Sequence, residues 1–179
     1  MARITNRDAA ELLFNVATIL ELADDNPYRI RAYRRAARML TARGLGEPLP
    51  LVDGKAGKEL DLPGLGQRLR RKLGELLATG RMRFYVDVCA QLPEEVSDLL
   101  AVPGIGPKTA LRLNEELGLA SAADVVAAAD AGRIRQLYGF GERREQLLGV
   151  GARQVVGGNV RTFVARPRAE VVVPTQTGS

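Results

Sequence analysis

Three stretches of this chain repeat one pattern: residues 62–77 read LPGLGQRLRRKLGELL, residues 102–117 read VPGIGPKTALRLNEEL, and residues 137–150 read LYGFGERREQLLGV. Each has an apolar residue, then proline or tyrosine, then glycine, a hydrophobic residue and glycine, followed by apolar positions at helical spacing. Glycine readily adopts the positive φ that a tight turn between two helices needs. The repeats therefore predict two or three copies of one unit, a pair of helices joined by a glycine hairpin.

The rest of the chain is also predicted to be helical. Residues 6–23 repeat apolar positions at helical spacing after Thr5 or Asn6, either of which can cap a helix. Pro27 then opens a second helix, over about 27–43, and a loop rich in glycine and proline follows over 44–57. Aromatic residues make up only 4% of the chain and Trp is absent, which favours a helical core of Leu, Val and Ala.

We therefore predict an all-α fold of tandem hairpin units in two helical domains and an extension. The first domain covers residues 4–84 and holds the first hairpin, and the second covers residues 85–150. The valine- and glycine-rich extension, residues 151–179, is either a small β-hairpin that turns at 157–159 or disordered.

The glycine hairpins suit a phosphate. The first N–H groups of a helix lack intrahelical partners and lie at its positive dipole end, and a glycine turn lets the main chain approach a ligand. A cation after the turn, Arg68 or Lys108, adds charge pairing. Such a contact holds the DNA backbone without reading bases. We expect the middle hydrophobic residues, Leu65, Ile105 and Phe140, to anchor the turns in the core.

Positive charge is concentrated around the first hairpin. Lys and Arg number 26 against 21 Asp and Glu. Residues 27–46 hold six arginines and no acid, and residues 66–83 hold six cations against Glu75 alone, whereas residues 1–26 are acidic. The blocks are either a binding surface for a polyanion or a solvated face. From hairpins and blocks together we assign to DNA the residues Gly64, Gly66, Arg68, Arg71, Gly104, Gly106, Lys108, Arg29, Arg34 and Arg35.

The third hairpin differs from the first two because Glu142 and Glu145 follow it closely. Two carboxylates there would repel a phosphate, so we expect this hairpin to serve packing.

Several classes of function are excluded. The chain has no histidine, so catalysis by histidine and zinc sites with histidine ligands are ruled out. A single cysteine, Cys89, allows no intrachain disulfide, and no stretch is long and apolar enough to span a membrane. We expect a cytoplasmic location, on the nucleoid if the source is bacterial, and no membrane partner.

Four stretches resemble the N-terminal half of the family X DNA polymerases, the polymerase beta group. They are NPYRIRAYRRAA (26–37), residues 62–72, ATGR (78–81) and residues 102–110, and residues 139–150 fit the close of that region. The resemblance spans roughly residues 4–150. It implies an 8-kDa-type lyase domain followed by a helix-hairpin-helix subdomain that grips duplex DNA.

The resemblance also implies a monovalent cation, K⁺ or Na⁺, between each of the first two hairpins and a DNA phosphate. Its ligands would be main-chain carbonyls, here those of Leu60, Leu62, Leu65, Leu100, Val102 and Ile105. The family's polymerase palm should follow residue 150, but Glu170 is the one acid after it. Two-metal nucleotidyl transfer needs clustered carboxylates, so we expect this chain not to be a polymerase itself.

In the family a lysine attacks the sugar aldehyde of an incised abasic site, and that position is Lys72. The chemistry needs a primary amine, which arginine cannot supply. Tyr33 and Arg68 match the family's 5′-phosphate pocket. A further cationic position of that pocket falls on Phe84, although Arg81 and Arg83 are close in sequence and could compensate.

Three functions stay open on the sequence. The first is a module that holds nicked, gapped or duplex DNA without sequence specificity in DNA repair, alongside other repair proteins. The second is a 5′-deoxyribose phosphate or abasic-site lyase that uses Lys72, and the third is a protein-interaction subunit with purely structural hairpins. The sequence does not give the oligomeric state.

Overall fold

The computed structural model describes residues 4–44 and 64–159, and this part of the chain is all-α, as predicted. It contains eight helices and a short 3-10 turn at Ile134–Gln136. The helices are α1 (Asn6–Leu22), α2 (Pro27–Ala42), α3 (Gln67–Thr79), α4 (Arg83–Cys89), α5 (Glu94–Leu99), α6 (Pro107–Leu117), α7 (Ala122–Asp130) and α8 (Glu142–Val156).

Local capping chemistry sets the first two helices. The Thr5 hydroxyl accepts from the Asp8 N–H at 3.3 Å, and the Asp8 carboxylate accepts from the Thr5 N–H at 2.8 Å, which completes a capping box. Asn26 caps α2 by accepting from the Tyr28 N–H, and Pro27 occupies the first helical position. The predicted helices over 6–23 and 27–43 are therefore confirmed to within one residue.

Helix α1 is the central element of the first half. Its apolar face, with Leu12, Leu13, Val16 and Ile19 all at most 2% exposed, packs along α2. Its other neighbours are α4 and α6, so α1 also contacts the second half of the chain. The side-chain amide of Asn15 donates to the hydroxyl of buried Tyr85 at 2.9 Å and ties α1 to α4.

Two expected boundaries fall within helices. The division between residues 84 and 85 falls inside α4, because one continuous helix runs from Arg83 to Cys89. The extension expected from residue 151 begins within α8, which continues to Val156. Val155 and Val156, assigned to the first strand of a β-hairpin, are therefore helical, since buried Gly151 and Ala152 pack α8 against the core. The remainder of the expected extension, residues 160–179, lies outside the described residues.

In the part of the chain that the structure describes, no helix is both long enough and apolar enough to cross a membrane.

Candidate nucleic-acid interface

The three hairpins share one turn geometry. The first glycine of each has positive φ, +90° at Gly64, +86° at Gly104 and +80° at Gly139. In the second and third hairpins the turn closes with a hydrogen bond of 3.0 Å, from the Ile105 N–H to the Val102 carbonyl and from the Phe140 N–H to the Leu137 carbonyl. Positive φ at the third residue of a closed four-residue turn is the signature of a type II turn, which favours proline before the glycine. Glycine is thus required at these positions, as predicted.

The second glycine of each hairpin caps the helix that follows. Gly66, Gly106 and Gly141 are extended, with ψ between 152° and 176°, and no side chain caps α3, α6 or α8. The first N–H groups of these helices therefore point outward without a side-chain acceptor. Together with the positive end of the helix dipole, they form a site suited to an anion.

The middle residue of each hairpin lies in the core, as expected. Leu65 is 8% exposed, Ile105 3% and Phe140 4%. A Cβ added at Gly64 would meet the Met39 side chain at 3.3 Å, and one at Gly104 would meet Leu148 at 3.3 Å. Hairpin one is therefore held against α2, and hairpin two against α8.

Only some of the carbonyls assigned to a monovalent cation belong to residues that the structure describes. Those of Leu60 and Leu62 lie outside the described residues. In hairpin two the Val102 carbonyl accepts the turn hydrogen bond, whereas those of Leu100 and Ile105 accept none within the described residues. Two of the three carbonyl oxygens assigned in hairpin two therefore accept no main-chain hydrogen bond among the described residues. Within residues 4–44 and 64–159, no cluster of acidic, cysteine or histidine side chains could hold a metal ion.

Lys72 lies in a half-buried cluster with Tyr33, one of the two residues assigned to the 5′-phosphate pocket. Its Nζ donates to the Tyr33 hydroxyl at 2.6 Å. The Phe84 ring stacks on Tyr33, with centroids 5.7 Å apart, and lies 3.7 Å from the Lys72 Nζ. The Arg29 guanidinium lies 5.8 Å from the Phe84 centroid. Helices α2, α3 and α4 together build this cluster, and we name Lys72, Tyr33, Phe84 and Arg29 the aromatic lysine site.

The environment favours the neutral amine. Burial, and then the positive charges of Arg29 and Arg68, lower the pKa of Lys72 below that of a free lysine. Burial also raises the pKa of Tyr33 to about 12, so its hydroxyl stays protonated near neutral pH. The site therefore holds a partly desolvated primary amine beside a neutral phenol.

Phe84 takes a role that sequence reasoning missed. It occupies a position that is cationic in the family pattern, and in the structure its aromatic ring lies against the Lys72 Nζ. Arg83 does not join this site, because its Nε pairs with Glu75 at 3.0 Å and its side chain is 85% exposed. Phe84 is not a near neighbour of Tyr33 or Lys72 in the sequence, and no local sequence rule connects these three residues. The sequence therefore did not predict their contact.

The first arginine block is partly paired with the acidic helix α1. Arg34 pairs with Glu21 at 2.6 Å, and Lys108, just after hairpin two, approaches the same Glu21 oxygen at 3.5 Å. Arg29 pairs with Asp25 at 3.0 Å. The assigned cations that are exposed and without an ion pair among the described residues are Arg35, Arg68 and Arg71.

Hairpin two lies beside α1. A Cβ added at Gly106 would come within 3.6 Å of the Asn15 side-chain oxygen. The bond from Asn15 to Tyr85 and the contacts of Glu21 lie along the same helix. The structure thus brings hairpin two and the first arginine block together at α1.

The acids of hairpin three are internally paired. Glu145 is 1% exposed and accepts from the Arg135 N–H at 2.8 Å and from its Nε at 2.6 Å. Burial would raise the pKa of Glu145, but these bonds from Arg135 lower it below its usual value. Glu142 lies 3.6 Å from the same guanidinium. Glu145 therefore serves packing, in line with the role expected of this hairpin.

Sequence reasoning missed a basic group around Phe140. The guanidinium of Arg112 lies 5.1 Å and that of Arg144 4.3 Å from the ring centroid of Phe140. Arg112 also donates to the Tyr138 carbonyl, and Arg144 donates to the Thr109 hydroxyl. The available signal was the position of Arg112 one helical turn after Lys108.

Comparisons with known proteins agree with this geometry. One family model, described as a helix-hairpin-helix domain, matches residues 4–82, and another, described as a SAM-like helix-hairpin-helix tandem, matches residues 96–154. The two matched segments together take in more than half of the chain.

Two kinds of relative are similar in sequence. PolX of Bacillus subtilis (strain 168), a DNA polymerase/3'-5' exonuclease, is 29% identical over 144 residues, which is 78% of this chain and 24% of that protein. RuvA, a subunit of the Holliday junction branch migration complex, is 27% identical over 88 residues in both Acidovorax sp. (strain JS42) and Acidovorax ebreus (strain TPSY). That match covers 49% of this chain and 46% of the relative.

The chain thus spans about a quarter of the length of PolX and just under half that of RuvA. The two matched segments and the repeated hairpin geometry show that this chain contains tandem helix-hairpin-helix domains, and its sequence is similar to the N-terminal region of the family X DNA polymerases.

Proposed function

We propose that this chain binds nicked, gapped or duplex DNA through its phosphate backbone, without sequence specificity, in DNA repair. The observation that carries the proposal is the repeated anion site: a positive-φ glycine, an uncapped helix N-terminus and a cation two residues later, Arg68 or Lys108. The names of the relatives, a DNA polymerase and a Holliday junction protein, agree with a DNA ligand.

The arrangement of charge supports backbone contact. Arg35, Arg68 and Arg71 are exposed without an ion pair in the described residues, so a phosphate meets no competing carboxylate on them. We therefore expect a steep salt dependence, with log affinity for duplex falling by about 0.9 per phosphate neutralised. The double variant Arg34→Ala, Arg35→Ala should weaken binding uniformly across sequences and flatten that slope.

Hairpin substitution tests the proposal. Gly104→Val places a side chain at φ +86°, where its Cβ also meets Leu148, so hairpin two must distort. Gly64→Val does the same to hairpin one. We expect each to weaken duplex binding about tenfold or more, since a lost hydrogen bond to a charged group is worth about 1.5–3 kcal/mol.

Gly118→Val is the matched control. Gly118 has φ +67° at the end of α6, with open space around an added Cβ, so the substitution introduces backbone strain away from any hairpin. Affinity should then stay near that of the native chain. Equal affinity in both hairpin variants and the native chain, measured by anisotropy on labelled duplex, would exclude the hairpin clamp.

A monovalent cation at hairpin two belongs to the same proposal. The carbonyls of Leu100 and Ile105 would hold K⁺ or Na⁺, which would supply positive charge to the phosphate. Duplex affinity should then be higher in KCl than in tetramethylammonium chloride at equal ionic strength. Equal affinity in the two salts would remove the cation from the proposal.

The aromatic lysine site favours a second candidate, a 5′-deoxyribose phosphate or abasic-site lyase. Its specific support is a desolvated Lys72 amine with a lowered pKa beside Tyr33, Arg29 and Arg68. The amine would attack C1′ of the sugar aldehyde and form an imine with loss of water. Removal of a C2′ proton would then break the C3′–O bond, so the downstream strand leaves with its 5′-phosphate, and hydrolysis of the imine would restore Lys72.

Borohydride trapping tests the lyase directly, because it reduces the imine to a stable amine. The native chain should form a covalent adduct with DNA that carries an incised abasic site. Lys72→Ala and Lys72→Arg should form none, while Lys72→Arg retains the positive charge and DNA binding. An adduct of equal yield with Lys72→Arg would exclude Lys72 as the nucleophile.

The third function, a protein-interaction subunit, makes the opposite prediction about DNA. It requires no affinity for DNA at physiological salt. The apolar segment 171–173, which it would use, lies outside the described residues.

A further inference from the structure

We propose that hairpin three carries a stacking site for an unpaired DNA base, formed by Tyr138 with Arg112 and Arg144 beside it. This inference rests on the proposed DNA-binding function and adds a preference for DNA with unpaired bases. The backbone clamps of hairpins one and two contact phosphates and touch no base, so they supply no stacking contact with an unpaired base.

The exposure of Tyr138 is the first observation. The residue is 93% exposed at the tip of hairpin three, where the other two hairpins have Pro63 and Pro103. Its hydroxyl and ring contribute nothing to the core, which Phe140 fills from the same turn. An aromatic ring held outward on a rigid turn presents a free π-face, on which any base can stack.

Two guanidinium groups lie close to the turn that carries Tyr138. Arg112 donates from Nη1 to the Tyr138 main-chain carbonyl at 2.9 Å, so its charge lies at the base of the tip. Both Arg112 and Arg144 lie against the Phe140 ring of the same turn. Arg112 pairs with Glu116, whereas Arg144 has no ion pair within the described residues. A phosphate at this turn would therefore meet the positive charge of Arg144, which is unpaired among the described residues.

The two acidic residues that would repel a phosphate from hairpin three both form ion pairs. Glu145 is buried on Arg135, and Glu142 pairs with the same guanidinium. Arg143 stands two residues after Gly141, the position that Arg68 and Lys108 hold after Gly66 and Gly106. Hairpin three therefore combines an exposed aromatic ring with Arg143 and Arg144 beside one exposed acid, Glu142, and aromatic rings next to cations suit single-stranded nucleic acid.

The free-energy cost of inserting an aromatic ring into DNA indicates which kind of DNA Tyr138 would bind. In an intact duplex Tyr138 would have to separate two stacked base pairs, which costs a few kilocalories per mole and opposes binding. An unpaired base at a gap or a single-stranded end needs no such separation. Tyr138 should therefore stack on unpaired bases, with Arg112 and Arg144 on the adjoining phosphate.

The experiment uses the full chain and two DNAs of one sequence, an intact duplex and a gapped duplex with 2-aminopurine as its unpaired template base. The fluorescence of 2-aminopurine reports stacking, and anisotropy reports affinity. Tyr138→Ala is the test variant and Tyr138→Phe preserves the π-face. Tyr28→Ala is the matched control, because Tyr28 is also exposed but its ring already lies under the Arg31 guanidinium, at 4.7 Å.

We expect Tyr138→Ala to abolish the 2-aminopurine response and to weaken binding to gapped DNA about 5- to 100-fold, while affinity for intact duplex stays within about twofold. Tyr138→Phe and Tyr28→Ala should behave as the native chain. An unchanged 2-aminopurine response in Tyr138→Ala, or an equal loss of affinity for both DNAs, would overturn the stacking site while leaving the backbone clamp intact. Failure of the native chain to bind either DNA would overturn both proposals.

Discussion

At the residue scale, the chemistry of Lys72 depends on opposing influences on one amine. Burial and the charges of Arg29 and Arg68 favour its neutral form, whereas the Phe84 ring, 3.7 Å away, attracts the ammonium form. Burial and these two charges lower the pKa of Lys72 below that of a free lysine. A neutral amine is the nucleophile in imine formation, and the lowered pKa supplies more of it near neutral pH.

The pH dependence of trapping should therefore respond to Arg68. Trapping rises with pH as Lys72 loses its proton, and a lowered pKa places that rise below the range of a free lysine. Arg68→Ala removes one positive charge near the amine, raises its pKa and should move the rise to higher pH. Rates of borohydride trapping at saturating DNA, with Arg71→Ala as the control for general charge loss, measure this. If Arg68→Ala and Arg71→Ala moved the pH of this rise by the same amount, the specific effect of Arg68 on the pKa of Lys72 would be contradicted.

At the element scale, two glycines let α8 pack closely on both sides. A Cβ added at Gly149 would come within 3.0 Å of the Ala129 Cβ on α7, and one added at Gly151 within 3.1 Å of the Pro103 carbonyl oxygen. Helix α8 thus supports the turn of hairpin two directly. This close contact explains why the helix continues beyond residue 150: Gly151 and Ala152 are part of the core, with Ala152 fully buried.

Gly151→Ala should destabilise the fold, although alanine is the better helix former. In an open helix the change would stabilise by about 1 kcal/mol. Here the added methyl group presses on main chain at Pro103, which yields less easily than a side chain, so we expect a loss of about 1–3 kcal/mol and weaker duplex binding. Chemical denaturation measures the first and anisotropy the second. A higher free energy of unfolding for the variant would contradict the packing argument.

At the scale of the whole molecule, α1 joins the two matched domains and carries negative charge between their binding elements. Glu21 bonds Arg34 of α2 and lies near Lys108 of α6. The bond from Arg34, more than any other contact, lowers the pKa of Glu21, so this carboxylate is ionised at neutral pH. It therefore competes with phosphate for two cations that we assign to DNA.

Glu21→Gln should accordingly raise DNA affinity. The change keeps the shape of the side chain and removes the competing charge, so we expect a gain of roughly two- to fivefold at low ionic strength that shrinks as salt screens it. Glu115→Gln, which makes the same charge change at an exposed position of α6, is the control. Duplex titrations over a salt series measure both. Weaker binding by Glu21→Gln would mean that the carboxylate orients Arg34 and Lys108 for DNA instead of competing for them.

Much of the local structure could be predicted from the sequence. Thr5 or Asn6 predicts where α1 begins and Pro27 where α2 begins, and the glycine pattern predicts positive φ at the hairpins. These features depend on residues within four positions of one another, so neighbouring residues carry all the information. The grouping of Lys72 with Tyr33 came from resemblance to a family, since 39 positions separate them.

By itself, then, the sequence determined the helical periods, the caps and the glycine turns, because backbone sterics and hydrogen bonding act between near neighbours. Only the tertiary structure decided which charges stay available. It placed Glu21 on Arg34 and Lys108, Glu145 on Arg135, and Phe84 under Lys72. Electrostatic and aromatic contacts act through space between distant segments, so their outcome depends on how α1, α2, α4 and α8 pack.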